Sequence, residues 1–207
     1  HGHDRRFALS LEWVEPLLQD GALVYDFGNG LEHCPFDVRL RELFPDVVLK
    51  TTGDQDLRFA LPVQDAIADG VCACEILEHM KDRTYDEVDV MTYSGIKNLL
   101  SEAFRILKPG GWFFLTTPNL SQYGCAWRLI RGDASNWVLA HSREFGWHEL
   151  QQFVTEAGFV IDRISAENVW EELECPEELR AVMDKLAPDV PRGHCIFCLA
   201  RKPEVSA

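Results

Sequence analysis

The residues best suited to chemistry cluster at three places in the chain. The first is Asp26-Phe-Gly28-Asn29-Gly30, which closes the apolar run Ala22–Tyr25. A carboxylate followed by two glycines, one residue apart, suits a nucleotide-like ligand, because glycine lets the chain turn sharply and lets a ligand lie against bare backbone. The second is Cys74-Glu75-Ile-Leu-Glu78-His79, at the end of another apolar run. Glu75 is the acid expected to face a cleft there. Glu78 reads as a structural acid held by hydrogen bonds, as buried acids usually are. The third is His141, beside an aromatic-rich stretch, with His148 seven residues on. An imidazole can take up a proton near neutral pH. His141 is the better base candidate of the two, and bracing of its own loop is the alternative role.

The cysteines invite a metal or redox reading that their spacing does not sustain. Cys195-Ile-Phe-Cys198 has the separation of a ligand pair, yet on a strand residues three apart point to opposite faces. No second pair stands at zinc-site spacing, so no metal is expected. Cys72 and Cys74 alternate and share one face, which leaves Cys74, nearer the strand end, able to line the cleft. Seven cysteines in a chain that opens without a charged-then-apolar leader read as reduced thiols of a cytoplasmic protein.

These groups need a scaffold, and the periodicity supplies one. Apolar spacing predicts helices over Phe7–Leu18, Asp37–Leu43, Ile96–Leu107 and His148–Ala157, with a helical insertion (about 167–190) that includes Glu171–Leu186. Apolar runs predict strands at Leu23–Phe27, Val47–Leu49, Gly70–Ile76, Trp112–Thr116, Phe159–Ile164 and Cys195–Arg201. Residues 51–64 and the aromatic-rich segment 118–147 read as irregular, the latter as an acceptor-pocket or lid segment that contains Tyr123, Trp127 and Trp137. Strands that alternate with helices make an α/β fold, a mainly parallel sheet with helices on both faces. A length of 207 residues suits a single domain over 1–207.

Charge and motif context narrow the function. The formal net charge of −14 repels a phosphate backbone, so nucleic acid is not expected as a partner, and Arg128, Arg131 and Arg143 are the best candidates for a local exception. No apolar run is long enough to cross a membrane. Asp26-Phe-Gly28 matches the kinase metal tripeptide, but the other kinase blocks are missing. The nicotinamide fingerprint fails because His33 stands where its last glycine belongs.

The ordered blocks Val24-Tyr-Asp26-Phe-Gly28-Asn-Gly30, Leu57-Arg-Phe-Ala-Leu-Pro62, Glu75-Ile-Leu-Glu-His79, Arg105-Ile-Leu-Lys-Pro-Gly-Gly111 and Thr116-Thr-Pro-Asn119 resemble the Rossmann-like S-adenosylmethionine-dependent methyltransferases, in particular the small bacterial types 11 and 12. His141-Ser-Arg-Glu-Phe145, Glu149-Leu150 and Ala157-Gly-Phe159 extend the resemblance, which covers residues 5–165 and the closing strand. It implies a three-layer sandwich around a seven-stranded sheet whose last strand is antiparallel, with the cofactor S-adenosyl-L-methionine across the C-terminal edge. It also implies a cofactor site drawn from Asp26, Gly28, Asn29, Gly30, Asp54, Asp56, Cys74 and Glu75. Asp26 would meet the methionine amine or order the turn, Asp54 or Asp56 the ribose hydroxyls, and Asp65 the adenine amine. Glu75 and His141 are the catalytic candidates. The acceptor would be a small molecule or a glycan, methylated at oxygen, and a homodimer is open. The chain departs from the pattern at Glu32, where relatives carry a third glycine, and at Lys50-Thr-Thr, where an acid is usual. A cofactor-binding module without turnover, or a protein-modifying methyltransferase, are the alternatives.

Overall fold

In the computed structural model the described residues are 2–28, 36–53, 55–82, 93–133, 141–170 and 174–204. Among them lie β1 (Leu23–Asp26), β2 (Val48–Thr51), β3 (Ala68–Cys74), β4 (Leu107–Pro118), β5 (Val160–Glu167) and β6 (Cys195–Arg201), in the sheet order β2-β1-β3-β4-β6-β5. The first four strands run parallel, and β6 is antiparallel to both β4 and β5. The class and the antiparallel closing strand match expectation. The strand number does not, since six strands are seen among the described residues where seven are implied.

Between β2 and β3 the backbone finds partners on a helix instead of in a ladder. Helix α3 (Ser94–Ile106) turns the stripe Ile96, Leu99, Leu100, Ala103 and Ile106 to the core. From another side it offers Asn98, Glu102 and Arg105. Asn98 donates to the carbonyls of Leu57 and Phe59, both at 2.9 Å. Glu102 accepts from the Leu61 amide at 2.6 Å, and Arg105 donates to the carbonyls of Leu61 and Val63 at 3.1 and 2.6 Å. Backbone groups satisfied in this way have no need of a strand partner, and β2 stays at the sheet edge.

This clamp carries a prediction. Hydrogen bonds from Arg105, the largest cause, and from the Leu61 amide hold the Glu102 carboxyl below its ordinary range. A carboxyl with a lower pKa folded than unfolded stabilises the protein above the unfolded value, about 4.3, and that contribution is lost as pH falls through the folded value. Glu102→Gln should cost about 1–3 kcal/mol at neutral pH. The cost should shrink on acidification through that range, in urea melts compared at pH 7 and near pH 3.

The two faces of the sheet carry separate cores. Tyr25, Val71, Ala73, Phe113, Leu115, Ile196 and Cys198 pack with α3 and with α5 (Trp147–Glu156). Val24, Cys72, Cys74, Phe114, Cys195 and Phe197 pack with α1 (Gly2–Val14) and α2 (Phe36–Leu43). Cys195 and Cys198 therefore lie on opposite faces, as strand geometry predicts, and Cys72 shares its face with Cys74. Burial pushes the Cys72 and Cys195 thiols well above their ordinary pKa, and Cys198 to about 12, so none of the three is a thiolate at neutral pH. Gly70 is demanded by packing, because a Cβ there would run into the Trp112 ring on the neighbouring strand.

Two helices differ from expectation. Tyr123–Ile130 is a helix, α4, within the segment read as irregular. Only Gly124 and Cys125 of its residues are buried. In the insertion, α6 runs Glu177–Leu186 and starts directly after Pro176, which disfavours helical backbone at the residue before it.

Candidate active site at the C-terminal edge of the sheet

In a parallel sheet the strand ends and the loops that leave them form a natural crevice. β1 delivers Asp26 to this edge, 5% exposed, with Phe27 and Gly28 beyond it. The Asp26 carbonyl accepts from the Thr52 amide at 3.1 Å, which joins the ends of β1 and β2. A Cβ at Gly28 would stand 3.4 and 3.5 Å from the two Asp26 carboxylate oxygens, so glycine leaves that carboxylate approachable. Asn29, Gly30, Glu32, Asp54 and Trp137 lie outside the described residues.

A cavity of about 360 Å³ opens beside the end of β2, lined by Tyr25, Lys50, Thr51, Thr52, Gln55 and residues 61–63. A larger hollow of about 800 Å³, around Asp20, Asp69, Lys108 and Glu204, lies at the opposite edge, where β1 and β3 begin. The smaller cavity is the relevant one, because it adjoins the strand ends. Asp56 heads a turn and is exposed, with both carboxylate oxygens bonded to the Arg58 guanidinium at 2.7–3.1 Å. Asp65 is 75% exposed and paired with Arg105.

β3 ends in Cys74 and Glu75. Glu75 has a φ of 56°, a left-handed conformation that costs a non-glycine residue energy and often marks a functional turn. Its amide donates to the Thr116 carbonyl at 2.9 Å. One carboxylate oxygen accepts from the Thr116 hydroxyl at 3.0 Å and the Cys195 thiol at 3.3 Å, and the other lies 2.8 Å from the Arg6 guanidinium. Arg6 is 4% exposed and reaches this point from α1, with Phe7 and Trp170 rings alongside. Sequence reasoning missed Arg6, which directly precedes the first predicted helix.

After Glu75 the chain makes a short 3-10 turn, Leu77–His79. Glu78 is fully buried; one oxygen accepts from the Thr117 hydroxyl at 3.0 Å, and Oε1 has no hydrogen-bond partner among the described residues. Burial foremost, then the neighbouring Glu75 charge, raises the Glu78 carboxyl well above the carboxylate range. The loop from His141 closes against this turn. The Ser142 amide donates to the Glu78 carbonyl at 2.8 Å, and the Ser142 hydroxyl to the His79 carbonyl at 3.3 Å.

His141 Nδ1 lies 3.0 Å from Oε1 of Glu144, which is itself buried. When Nδ1 donates to this carboxylate, Nε2 of the neutral ring is left with the lone pair. The His79 and His141 rings meet edge to face with centroids 4.9 Å apart. Glu144 was not anticipated; the His141-x-x-Glu144 spacing was its only signal. Burial, with the Glu144 charge second, raises the Cys125 thiol to about 12.

The remaining candidates have other partners. His148 is exposed on α5, 3.6 Å from Asp189. The Tyr123 hydroxyl donates to Asp184 at 2.8 Å and ties α4 to α6. Trp127 lies beneath the Arg131 guanidinium, and Arg143 is stacked over Tyr93 and Phe145. Buried Asn119 donates to the carbonyls of Pro191 and Gly193 at 3.1 and 2.8 Å, fixing the chain where β4 ends.

A mainly parallel sheet with helices on both faces, a buried acid that ends β1 with glycine two residues on, and polar side chains gathered at the ends of β3 and β4 suit an α/β nucleoside-cofactor domain. A family model described as "Methyltransferase domain" matches residues 5–164, and the chain belongs to that family. A Mycolicibacterium smegmatis protein named "Probable S-adenosylmethionine-dependent methyltransferase" is 30% identical over 104 residues, 49% of this chain and 32% of that protein. The match thus spans about a third of the relative's length. A solved S-adenosylmethionine-dependent methyltransferase from Archaeoglobus fulgidus superposes with a TM-score of 0.63 at 14% identity, covering 97% of this chain and 94% of that one. The [4+2]-cyclase SpnF superposes with a TM-score of 0.58 at 20% identity, covering 97% and 81%. At such identities the two structures speak for the fold alone.

The residues present fit S-adenosylmethionine, the cofactor in the name of the Mycolicibacterium smegmatis relative. Gly28 leaves bare backbone next to the buried Asp26, and the cavity beside β2 offers the hydroxyls of Thr51 and Thr52 and the amide of Gln55.

Proposed function

We propose that this domain transfers the methyl group of S-adenosylmethionine to an oxygen of a small-molecule or glycan-like acceptor at the C-terminal edge of the sheet. The observation that carries the reading is the His141–Glu144 pair, with its lone-pair nitrogen beside the turn that ends β3. Bound across the edge, the cofactor supplies a methyl group on a sulfonium, a good leaving group. The chain has to position and to manage one proton. Asp26 accepts from the methionine amine, and Gly28 lets the ligand lie close. Arg6 and Thr116 hold Glu75 at the inner wall, where its carboxylate faces the donor end of the site. Bound there, S-adenosylmethionine would supply the electrophilic methyl carbon and would depart as S-adenosylhomocysteine, which leaves the acceptor hydroxyl as the chain's own task. The acceptor's proton leaves at the His141 lip, where Nε2 provides the electron pair that activates the hydroxyl.

Calorimetric titration with S-adenosylhomocysteine, followed by a hydroxyl-acceptor screen for methylated product, tests this reading. Absence of any binding would overturn it.

A second reading is cofactor binding without turnover. β2 ends in Thr51-Thr52 instead of an acid, and Asp56 is engaged by Arg58. SpnF, which shares the fold, is named a cyclase, so the fold is not tied to methyl transfer. This reading is favoured if the homocysteine product binds and no acceptor class is methylated.

A further inference from the structure

We propose that Glu78, His79 and His141 form a binding site for a divalent cation of the zinc class at the lip of the acceptor site. The inference rests on the acceptor site proposed above and specifies how the hydroxyl is activated there.

One ligand atom from each of the three side chains lies within 4.8 Å of the other two. Two imidazoles and one carboxylate make a donor set suited to Zn²⁺ and its neighbours, whereas Mg²⁺ takes oxygen ligands and keeps its waters. Metal–ligand bonds of about 2.0–2.2 Å need the donors to close by an ångström or so. His79 is the exposed one of the three, while Thr117 holds Glu78 and Glu144 holds His141.

Two further observations point to a ligand. Glu78 is fully buried, yet Oε1 has no hydrogen-bond partner among the described residues, although its other oxygen is taken by Thr117. A buried carboxyl oxygen in that position lacks a partner that a bound cation would supply. His141 also has the arrangement common to metal-bound histidines: a buried carboxylate holds one ring nitrogen and aims the other. An edge-to-face imidazole pair alone accounts for neither feature.

The site is preorganised. Glu78 and His79 stand on the turn after β3, His141 starts the facing loop, and the Ser142 bonds to the Glu78 and His79 carbonyls fix their separation. Burial grades from Glu78, which is enclosed, to His79, which is exposed, so the remaining coordination position faces outward. Catalytic zinc sites share this plan of three protein ligands and one open position. An acceptor hydroxyl bound there would give its proton more readily to solvent water at the exposed lip, as water does on zinc, and the His141 lone pair would be spent on the metal instead of on the proton.

The test uses the full chain, stripped of metal by a chelator and titrated with Zn²⁺, with Mg²⁺ as comparator. One Zn²⁺ per chain is expected. His79→Ala combined with His141→Ala should weaken binding more than about 100-fold, and Glu144→Gln about 10–100-fold. Co²⁺ absorption is the second measurement: four-coordinate bands without thiolate charge transfer are expected, and their loss in His79→Ala, a surface change that leaves the core intact. Wild-type affinity equal to that of the double variant, or a Co²⁺ spectrum of the hydrated ion or of thiolate ligation, overturns the proposal. A parallel titration with S-adenosylhomocysteine separates the failures. If the nucleoside binds and no metal does, only the cation is rejected. If metal binds and the nucleoside does not, the donor reading falls and the metal site loses the acceptor role given to it.

Discussion

Replacing Asp26 by alanine is expected to weaken S-adenosylhomocysteine binding by about 100-fold or more while the protein stays folded. A buried carboxylate that meets an ammonium makes charge-assisted hydrogen bonds, each worth about 1.5–3 kcal/mol, and every 1.4 kcal/mol is tenfold in affinity. Asp26 is well placed for this. It ends the strand flanked by β2 and β3, it is 5% exposed, and glycine leaves its oxygens approachable at position 28. Its backbone bonds to the neighbouring strands do not depend on the side chain, so the sheet register survives the change. Asp26→Asn separates charge from shape, since it keeps the side chain's size and removes its charge. It should lose nearly as much affinity, and calorimetry on both variants with a thermal melt as the folding control reads the result. Affinity within threefold of the wild type in the alanine variant would take Asp26 out of the cofactor site and return it to a turn-ordering role.

That expectation was legible from the sequence because the run into Asp26-Phe-Gly28 is local. Strand, acid and glycine are contiguous, and their spacing alone puts the carboxylate at a strand end. The same holds for the Cys195 and Cys198 faces and for the α3 stripe, where period decides direction. What stayed hidden depends on long-range contact. Arg6 meets Glu75 from a helix nearly seventy positions earlier, and no periodicity marks a cation that will be buried against a strand end. Glu144 is one acid among many until the fold turns it inward onto His141. Asn98, Glu102 and Arg105 lie off the apolar stripe of their helix, yet they clamp the segment read as irregular between β2 and β3. Polar residues at helical spacing show which face avoids the core. They do not tell whether water or a neighbouring backbone will satisfy them.

His141→Ala should separate binding from turnover. His141 lies on the acceptor side, on the loop that closes over the turn after β3, and not on the strand that carries Asp26. Its removal should therefore leave S-adenosylhomocysteine affinity within about twofold while kcat falls by about 10²–10⁴, the range of a positioned proton-transfer group. Both routes of hydroxyl activation, direct proton removal and a bound cation, use the same nitrogen, so the size of the loss does not choose between them. Glu144→Gln does more to test the geometry. An amide can present its oxygen to Nδ1 but carries no charge, so the imidazole stays near its place and the electron pair on Nε2 becomes a poorer donor. As a positioning residue Glu144 should show a smaller loss, about tenfold in kcat, with KM for the acceptor nearly unchanged and part of the rate restored by Glu144→Asp. A single-turnover measurement with saturating donor reads these constants without product release. If His141→Ala instead abolished nucleoside binding, or lowered the melting temperature as far as it lowered the rate, His141 would be a brace for its loop and the activation of the acceptor would have to come from the strand ends themselves.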